Sequence, residues 1–365
     1  MTQENATVPV LPPKAPSHGP LAWAKANLFN GWFNTILTLL LLWLAVRLVP
    51  GILEWALADA VWSGEADACR ADGAGACWAF VAEKARFILF GTYPFEEHWR
   101  PILAMLVVVA MLLASADRRL WGRPLLLIWP AGLGIAGLLM FGGVLGMTYV
   151  ETTYWGGLPL TLTLSIIGLA FAFPLGVLLA LGRTGNLPVV KALSVAYIEI
   201  IRGVPLISVL FMASVMFPLF LPQGVSIDKL LRAQLGFILF AAAYLAEVVR
   251  GGLQAIPKGQ FEAADALGLS YWQKVRLIVL PQALALVIPP LVNTFIGFFK
   301  DTSLVIIIGL FDLLSSTKAA LTDPAWRGFY KEAYLFVGLI YFAFCYAMSR
   351  YSQYLERDLA KGRRR

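Results

Sequence analysis

The sequence is poor in charged residues and has almost no histidine or cysteine. Charged residues make up 14% of its 365 residues, whereas a soluble domain carries about 25%. This low charge excludes a soluble enzyme and a disordered regulator. With 2 histidines and 3 cysteines, the chain cannot be a secreted disulfide scaffold, and a Cys/His metal centre is disfavoured.

Three patterns typical of enzymes are also missing from the sequence. The phosphate-binding loop Gly-x-x-x-x-Gly-Lys-Ser/Thr does not occur, and no Ser-His-Asp or metal-binding cluster stands out. The stretch 182–185 is glycine-rich but lacks the Lys-Ser/Thr that should follow. We therefore predict a chain that is not an enzyme and holds no cofactor or metal of its own.

Apolar residues are what the sequence has in excess. They make up 59% of the chain, and mean hydropathy is +0.74. Several runs approach or exceed the roughly 18 residues that indicate a membrane span. Backbone groups in hydrocarbon must be paired within the segment, so helices are expected. We predict an all-α integral membrane protein with about eight transmembrane helices, near residues 33–57, 101–116, 124–147, 158–182, 203–221, 232–250, 278–299 and 332–349. A further run at 304–314 is too short to span alone.

Basic residues predict the direction of the spans. If eight spans alternate, the basic segments 117–123, 250–276 and 350–365 fall on the same side as the N-terminus. The positive-inside rule makes that side cytoplasmic. The opposite side receives 58–99, which has seven acidic residues. The net charge of +7 is therefore explained by membrane topology, and we predict a lipid bilayer rather than nucleic acid as the surrounding partner.

Two cysteines lie in this outer loop. An oxidising compartment would permit a disulfide between Cys69 and Cys77. The alternative is two free small residues in a stretch rich in alanine and glycine. Spacing alone does not decide between them.

The most informative segment is the inner loop 251–277. Its residues 260–267 favour helix, Gly268 suits a helix C-cap, and Ser270 with Gln273 can form a capping box. We therefore predict a helix, a glycine turn and a second helix. The apolar side chains of the loop indicate either a docking surface for a partner or an amphipathic hairpin resting on lipid. They are Phe261, Leu267, Leu269, Tyr271 and Trp272.

One spacing pattern in this loop is specific. Glu262, Ala263 and Ala264 are followed after three residues by Gly268, and after nine more by Ile-Val-Leu-Pro at 278–281. This segment resembles the Glu-Ala-Ala loop of ATP-binding-cassette (ABC) importer permeases, and every fixed position of that pattern is present. The resemblance implies that these four residues couple the chain to a cytoplasmic ATPase.

Further segments resemble the polar-amino-acid branch of that family, which includes histidine and glutamine permeases. They are residues 197–206, 247–252, 280–283 and 293–304. The likeness covers about residues 155–355, and the preceding three spans resemble the long permease subunits of general L-amino-acid importers. It implies a type I permease core of five helices with an N-terminal extension of three helices.

The predicted organisation follows from these two sets of observations. It consists of a cytoplasmic tail (1–30), an extension (31–150) with a periplasmic loop (58–99), a permease domain (151–355) with a coupling loop (251–277), and a basic cytoplasmic tail (356–365).

The resemblance also implies the partners and the mechanism. A periplasmic amino-acid-binding protein would deliver an L-amino acid to the bacterial inner membrane, and a homologous, non-identical second permease would complete the path. A dimer of ATPase subunits, which hold ATP and magnesium, would drive alternating access.

Polar residues near the last spans suggest a substrate path. Pro289 and Pro290 loosen a helix by removing backbone donors, and polar groups beside a broken helix can line a cavity. Asp301 can accept from an ammonium group, and the alternative is a salt bridge with Lys300 or a cap for the following helix. The candidate path residues are Asn293, Thr294, Asp301, Thr302 and Ser303.

Two charged pairs lie near the inner boundary. Glu199 with Arg202, and Glu247 with Arg250, are each three residues apart, so each pair can meet on one helix face. They are either structural ion pairs or part of the path.

Two other classes of protein compete with the importer permease. A secondary transporter would need acidic residues near the bilayer midplane and an inverted repeat, and neither is evident. A membrane scaffold or enzyme would not explain the Glu-Ala-Ala pattern.

Overall fold

The computed structural model describes residues 19–363. Most of the predicted N-terminal tail (1–30) and the last two residues of the predicted basic tail (356–365) lie outside the described residues. Two compact units are present, and they divide between Ala79 and Phe80.

The described residues form helices and only two isolated β-bridges. The α-helices are α1 (Pro20–Asn27), α2 (Trp32–Leu53), α3 (Trp78–Phe90), α4 (Trp99–Ala116), α5 (Arg123–Phe141), α6 (Gly157–Thr184), α7 (Pro188–Gly203), α8 (Leu206–Phe211), α9 (Lys229–Gln254), α10 (Lys258–Ala266), α11 (Tyr271–Lys274), α12 (Leu280–Leu286), α13 (Ile288–Asp301), α14 (Leu313–Ala320) and α15 (Tyr330–Arg363).

Seven helical segments within 19–363 are long and apolar enough to cross a membrane. A bent pair of helices makes eight if it counts as one span. The predicted all-α membrane protein with about eight spans is therefore confirmed. The seven segments are Trp32–Ala58, Phe95–Ala116, Arg123–Phe141, Gly157–Thr184, Lys229–Gln254, Ile288–Ile308 and Tyr330–Leu359.

The bent pair corresponds to the predicted span at 203–221. The apolar part is Leu206–Phe220, and it meets Pro188–Gly203 at 102°. Val204 is extended because the ring of Pro205 disfavours helical backbone in the preceding residue. The amphipathic helix α7 thus turns sharply into the span.

The predicted span at 278–299 is wrong in its bounds. The observed span is Ile288–Ile308, because the helix breaks at Val287, with φ −104° and ψ 11°. The run at 304–314, which is too short to span alone, contributes to the 3-10 turn Thr302–Ile308 that extends the span. Hydropathy does not register such a backbone break, so sequence reasoning placed the span too early.

The first unit contains α2 and a compact loop closed by a disulfide. Cys69 and Cys77 are bonded, with their Cα atoms 5.5 Å apart, which decides between the two sequence alternatives. A Cβ added at Gly75 would lie 2.4 Å from the carbonyl oxygen of Trp55. The loop therefore needs glycine where it passes the end of the helix.

The second unit begins within α3, a helix that lies inside the predicted outer loop. Lys84 of α3 donates to the Asp323 carboxylate at 2.7 Å. This hydrogen bond lowers the pKa of Asp323 below its ordinary value. The pair links α3 to the loop that precedes α15.

A buried arginine fastens α4 to the C-terminal end of α5. The side chain of Arg100 is fully buried. Its Nε donates to the carbonyl oxygen of Leu139 at 2.7 Å and its Nη1 to that of Thr148 at 2.9 Å. Glu97 lies 3.7 Å from the same guanidinium group. A cation at a helix C-terminus is stabilised by the helix dipole, so Arg100 holds both helices in place.

The core of the second unit is the contact between α6 and α9. A Cβ added at Gly176 would lie 2.9 Å from the Cβ of Leu245 and 3.0 Å from the carbonyl oxygen of Ala242. Small residues let membrane helices approach closely. This packing positions the end of α9, from which the inner loop follows.

Candidate coupling surface and translocation path

We call residues 251–277 the coupling segment, after its predicted role. It contains α10 (Lys258–Ala266) and α11 (Tyr271–Lys274). The backbone N–H of Ser270 donates to Oε1 of Gln273 at 2.9 Å, and a capping box is present. The predicted succession of helix, turn and helix is confirmed.

Two contacts fix the coupling segment to the membrane helices. A Cβ added at Gly252 would lie 2.7 Å from the carbonyl oxygen of Ala283 and 2.8 Å from Cγ1 of Val287. Glycine therefore lets α9 pass close to α12. Nε2 of Gln282 on α12 donates to Oε1 of Gln260 on α10 at 3.1 Å. A movement of α10 would be transmitted to α12 through this hydrogen bond.

Gly268 makes the turn between the two short helices. Its φ is +69°, in the left-handed region that other residues rarely adopt. The N–H of Gly268 donates to the carbonyl oxygen of Asp265 at 2.9 Å, and the N–H of Leu269 donates to that of Ala264 at 3.2 Å. Two carbonyl groups at the end of α10 are thereby satisfied, as the sequence predicted for a glycine C-cap.

The three residues of the Glu-Ala-Ala pattern divide into two environments. Glu262 and Ala263 are exposed, whereas Ala264 is fully buried where α10 packs on the π-helical turn Val275–Val279. Ala264 therefore holds α10 against this turn, and Glu262 and Ala263 remain available to a partner.

An exposed apolar patch covers the outside of the coupling segment. We define it as Leu267, Tyr271 and Trp272, of which Leu267 is 75% and Trp272 65% exposed. Lys274 pairs with Asp265 at 2.5 Å and so joins the two short helices. Exposed apolar groups of this size indicate an interaction surface.

The predicted path residues lie on or just after α13, which begins later than expected. Pro289 and Pro290 stand in its first turn, where proline is tolerated because no helical donor is lost, rather than inside a loosened helix. The break precedes them, at Val287. The prolines therefore begin α13, which corrects their predicted role.

Asn293 lies away from the packed face of α13, whereas Thr294 and Asp301 lie at its edge, each three residues after a buried side chain. Asn293 is exposed and the other two are half-buried, whereas Leu291 and Phe298 are buried. Thr294 and Asp301 are seven residues apart and share a helix face. The hydroxyl of Thr294 donates to the carbonyl oxygen of Pro290, in its own helix, at 2.9 Å, and its lone pairs remain open to another donor.

Thr302 differs in burial from the other predicted path residues. Thr302 is fully buried, and its hydroxyl donates to the carbonyl oxygen of Phe299 at 2.9 Å, whereas Ser303 is half-buried. Thr302 therefore supports the end of α13 from within, and the more accessible residues of the predicted path are Asn293, Thr294, Asp301 and Ser303. These residues and the coupling segment lie on separate elements, with α12 between them in the chain.

The two charged pairs form a cluster with a third arginine. Glu247 lies 2.9 Å from Arg183, 2.9 Å from Arg250 and 3.6 Å from Arg202. Glu199 pairs with Arg183 at 2.7 Å and not, as its spacing suggested, with Arg202. The side chain of Glu247 is only 14% exposed. The cluster joins α6, α7 and α9, which makes it a structural ion-pair network.

Sequence reasoning missed a second polar cluster, around Asp312. This buried carboxylate caps α14 by accepting from the backbone N–H groups of Leu314 at 3.2 Å and Ser315 at 3.0 Å. It also accepts from the hydroxyl of Tyr341 on α15 at 3.2 Å, while Thr161 of α6 accepts from the N–H of Leu313 at 3.1 Å. An aspartate at the start of a short helix was the signal available in the sequence.

Comparison with known proteins places this architecture in a family. Residues 172–361 match the family described as the binding-protein-dependent transport system inner membrane component. The match covers more than half of the chain, and the chain belongs to this family of multi-span transporter subunits.

Individual relatives match almost the whole chain. The inner membrane amino-acid ABC transporter permease protein YhdY of Escherichia coli is 50% identical over 372 residues, which cover 96% of this chain and 97% of that protein. The glutamate/glutamine/aspartate/asparagine transport system permease protein BztC of Rhodobacter capsulatus is 40% identical over 413 residues, with 95% of each chain covered. A crystal structure of an amino acid ABC transporter with histidines shares 30% identity and a TM-score of 0.49, over 55% of this chain and 92% of that one.

Proposed function

We propose that the chain is the transmembrane permease subunit of an ATP-driven importer that carries polar L-amino acids into the cytoplasm by alternating access. The observation that carries this proposal is the 50% identity, along nearly the full length, to a protein named as an amino-acid ABC transporter permease. The match includes the N-terminal region as well as the family core, so we infer the same role for the long form of the subunit.

The coupling segment transmits the force in this proposal. Glu262 and Ala263 are exposed beside the apolar patch, and this surface docks on a cytoplasmic ATPase subunit. The turn at Gly268 gives the two short helices a fixed relative direction. Because Gln260 binds Gln282, closure of the ATPase dimer pulls α10 and, through it, the helices that follow.

In this proposal both chain termini lie in the cytoplasm. Arg118, in the turn between α4 and α5, binds Asp358 near the end of α15, and the hydroxyl of Tyr351 donates to the carbonyl oxygen of Ala116 at 3.3 Å. The basic turn 117–123 and the last helix thus end on the same side. The positive-inside rule makes that side cytoplasmic.

The substrate passes along the accessible face of α13. An amino acid zwitterion needs an acceptor for its ammonium group, which Asp301 supplies, and donors for its carboxylate. Asn293 supplies an amide donor, and Thr294 and Ser303 supply hydroxyl groups. Thr302 takes part only by fixing the turn that ends the helix.

Other chains complete the transporter. A periplasmic amino-acid-binding protein delivers the substrate, and a homologous second permease encloses the path that five core helices cannot enclose alone. Two ATPase subunits bind ATP and magnesium, for which this chain has no phosphate-binding motif.

The test is a pull-down of the tagged chain from native membranes in mild detergent, followed by mass spectrometry. We expect the wild type to recover an ATPase and a second permease, and Leu267→Ser to lose the ATPase while keeping the permease. Leu145→Ser is the matched control, because Leu145 is 88% exposed but stands far from the coupling segment in the chain. Recovery of the chain alone, or an ATPase that Leu267→Ser retains at the wild-type level, would contradict the proposal.

A further inference from the structure

A cavity of about 520 Å³ lies among α4, α5, α6 and α9 in the second unit. Its volume is within the range of about 300–1,000 Å³ typical of ligand sites. The predicted coupling and path residues do not line it. Most of its wall is apolar, including Ala104, Val108, Leu133, Gly137, Leu162 and Ile166.

One buried donor in the cavity wall has no partner among residues 19–363, which the structure describes. Nε1 of Trp155 makes no hydrogen bond, although the side chain is only 4% exposed. A buried donor without an acceptor is costly, and indole N–H groups usually find a partner when buried. The nitrogen atom itself is buried, so an acceptor in the cavity would satisfy it once the indole ring turns toward the space.

The charge of the cavity wall indicates which headgroup charge the ligand carries. Of the residues that line the cavity, only Asp228 is charged. Its carboxylate caps α9 by accepting from the N–H of Leu231 at 3.0 Å, and it also accepts from the hydroxyl of Thr152. A carboxylate there favours a cationic group and disfavours an anionic one.

We propose that this cavity binds a membrane phospholipid with an ammonium headgroup. One acyl chain occupies the apolar part, an ester carbonyl accepts from Nε1 of Trp155, and the ammonium group pairs with Asp228. The surrounding helices span the membrane, so the bilayer itself supplies this ligand. The lipid fills the space between the predicted extension helices, α4 and α5, and the core helices, α6 and α9.

Gln234 provides a way to distinguish a lipid from a small polar ligand as the occupant of the cavity. Its Nε2 donates to the carbonyl oxygen of Leu164 at 3.2 Å, and its Oε1 is buried without a partner. It lies six residues beyond Asp228, or about 9 Å deeper along α9, at the level of the acyl chain. An acyl chain therefore leaves this oxygen without a donor, whereas a polar ligand filling the cavity would supply one.

The test is native mass spectrometry of the full chain in mild detergent, titrated with phosphatidylethanolamine and with phosphatidylglycerol of the same acyl chains. Gly137→Leu fills the cavity, since a Cβ at Gly137 meets nothing within 4 Å. Gly134→Leu is the matched control, because Gly134 is equally open on the same helix but does not line the cavity.

We expect the wild type and Gly134→Leu to retain phosphatidylethanolamine in preference to phosphatidylglycerol, and Gly137→Leu to lose this retention. Trp155→Phe keeps the ring but removes the donor, and should weaken retention about fivefold, the effect of one hydrogen bond. Gln234→Leu should retain the lipid.

Three outcomes would overturn the proposal. Equal retention of phosphatidylglycerol would remove the role of Asp228, and loss of binding in Gln234→Leu would indicate a polar ligand. If Gly137→Leu kept the lipid but lost the second permease in a pull-down, the cavity would be a subunit interface.

Discussion

The turn at Gly268 allows a sharp test, because the backbone strain caused by a substitution there can be separated from any effect on packing. The residue has φ +69°, yet a Cβ added there would meet nothing within 4 Å. Replacement by alanine therefore introduces backbone strain and no clash. A left-handed conformation costs an L-residue roughly 1–2 kcal/mol relative to glycine. We expect the substitution to destabilise the end of α10 by this amount.

The assay is hydrogen–deuterium exchange of the full chain in lipid nanodiscs. The amides of Gly268 and Leu269 close the turn onto α10, and their protection reports its local stability. We expect Gly268→Ala to speed their exchange by about fivefold to thirtyfold, the factor that corresponds to roughly 1–2 kcal/mol. Gly268→Asn should change it much less, because asparagine tolerates the left-handed region.

Gly259 supplies a control of opposite sign. It lies inside α10, and a Cβ there also meets nothing within 4 Å. Alanine is favoured over glycine in a helix by about 1 kcal/mol, so Gly259→Ala should slow exchange at the turn or leave it unchanged. If Gly268→Ala exchanged at the wild-type rate, or Gly259→Ala accelerated exchange equally, the conformational argument would be wrong.

The remaining predictions concern the charged clusters and the path. Glu247→Gln leaves three arginines without their shared carboxylate and should lower the free energy of unfolding by about 3 kcal/mol, measured by thermal unfolding. Glu199→Gln removes an exposed carboxylate and should lower it by less than about 1 kcal/mol, so equal losses would contradict the central role of Glu247. Asp312→Asn removes acceptor capacity from a buried cap and should cost about 1–2 kcal/mol by the same measurement, and unchanged stability would refute this role. Thr294→Glu should shift uptake toward arginine and lysine in a transport assay, and an unchanged substrate profile would count against its place on the path.

Much of the coupling segment could be predicted because its structure is local. Gly268 adopts positive φ for a reason that involves only the helix before it, and the Ser270–Gln273 box closes over three residues. The spans are local in the same sense, since an apolar run of sufficient length must be helical in a bilayer. The error in the bounds of one span also has a local cause, because the sequence does not show whether Pro289 and Pro290 loosen a helix or begin one, and in the structure they begin α13.

The candidate path shows where such reasoning stops. Asp301, Thr302 and Ser303 are adjacent in the sequence and were predicted as one group, yet Thr302 is fully buried while its neighbours are half-buried. Successive helical residues point about 100° apart, and which of them faces a neighbouring helix depends on the packing of α13 against α9 and α15. No spacing rule within α13 contains that information.

The sequence by itself determined the membrane class, the approximate number of spans and the turn at Gly268, because hydropathy and backbone preference act over one helix or less. The tertiary structure alone decided that Glu247 is shared by three arginines, that Cys69 bonds Cys77, and that Trp155 faces a cavity. The ion-pair cluster and the cavity depend on helices far apart in the chain, whose approach is fixed only when the helices pack. The disulfide spans only eight residues, and it depends on how the outer loop folds, which the cysteine spacing does not determine.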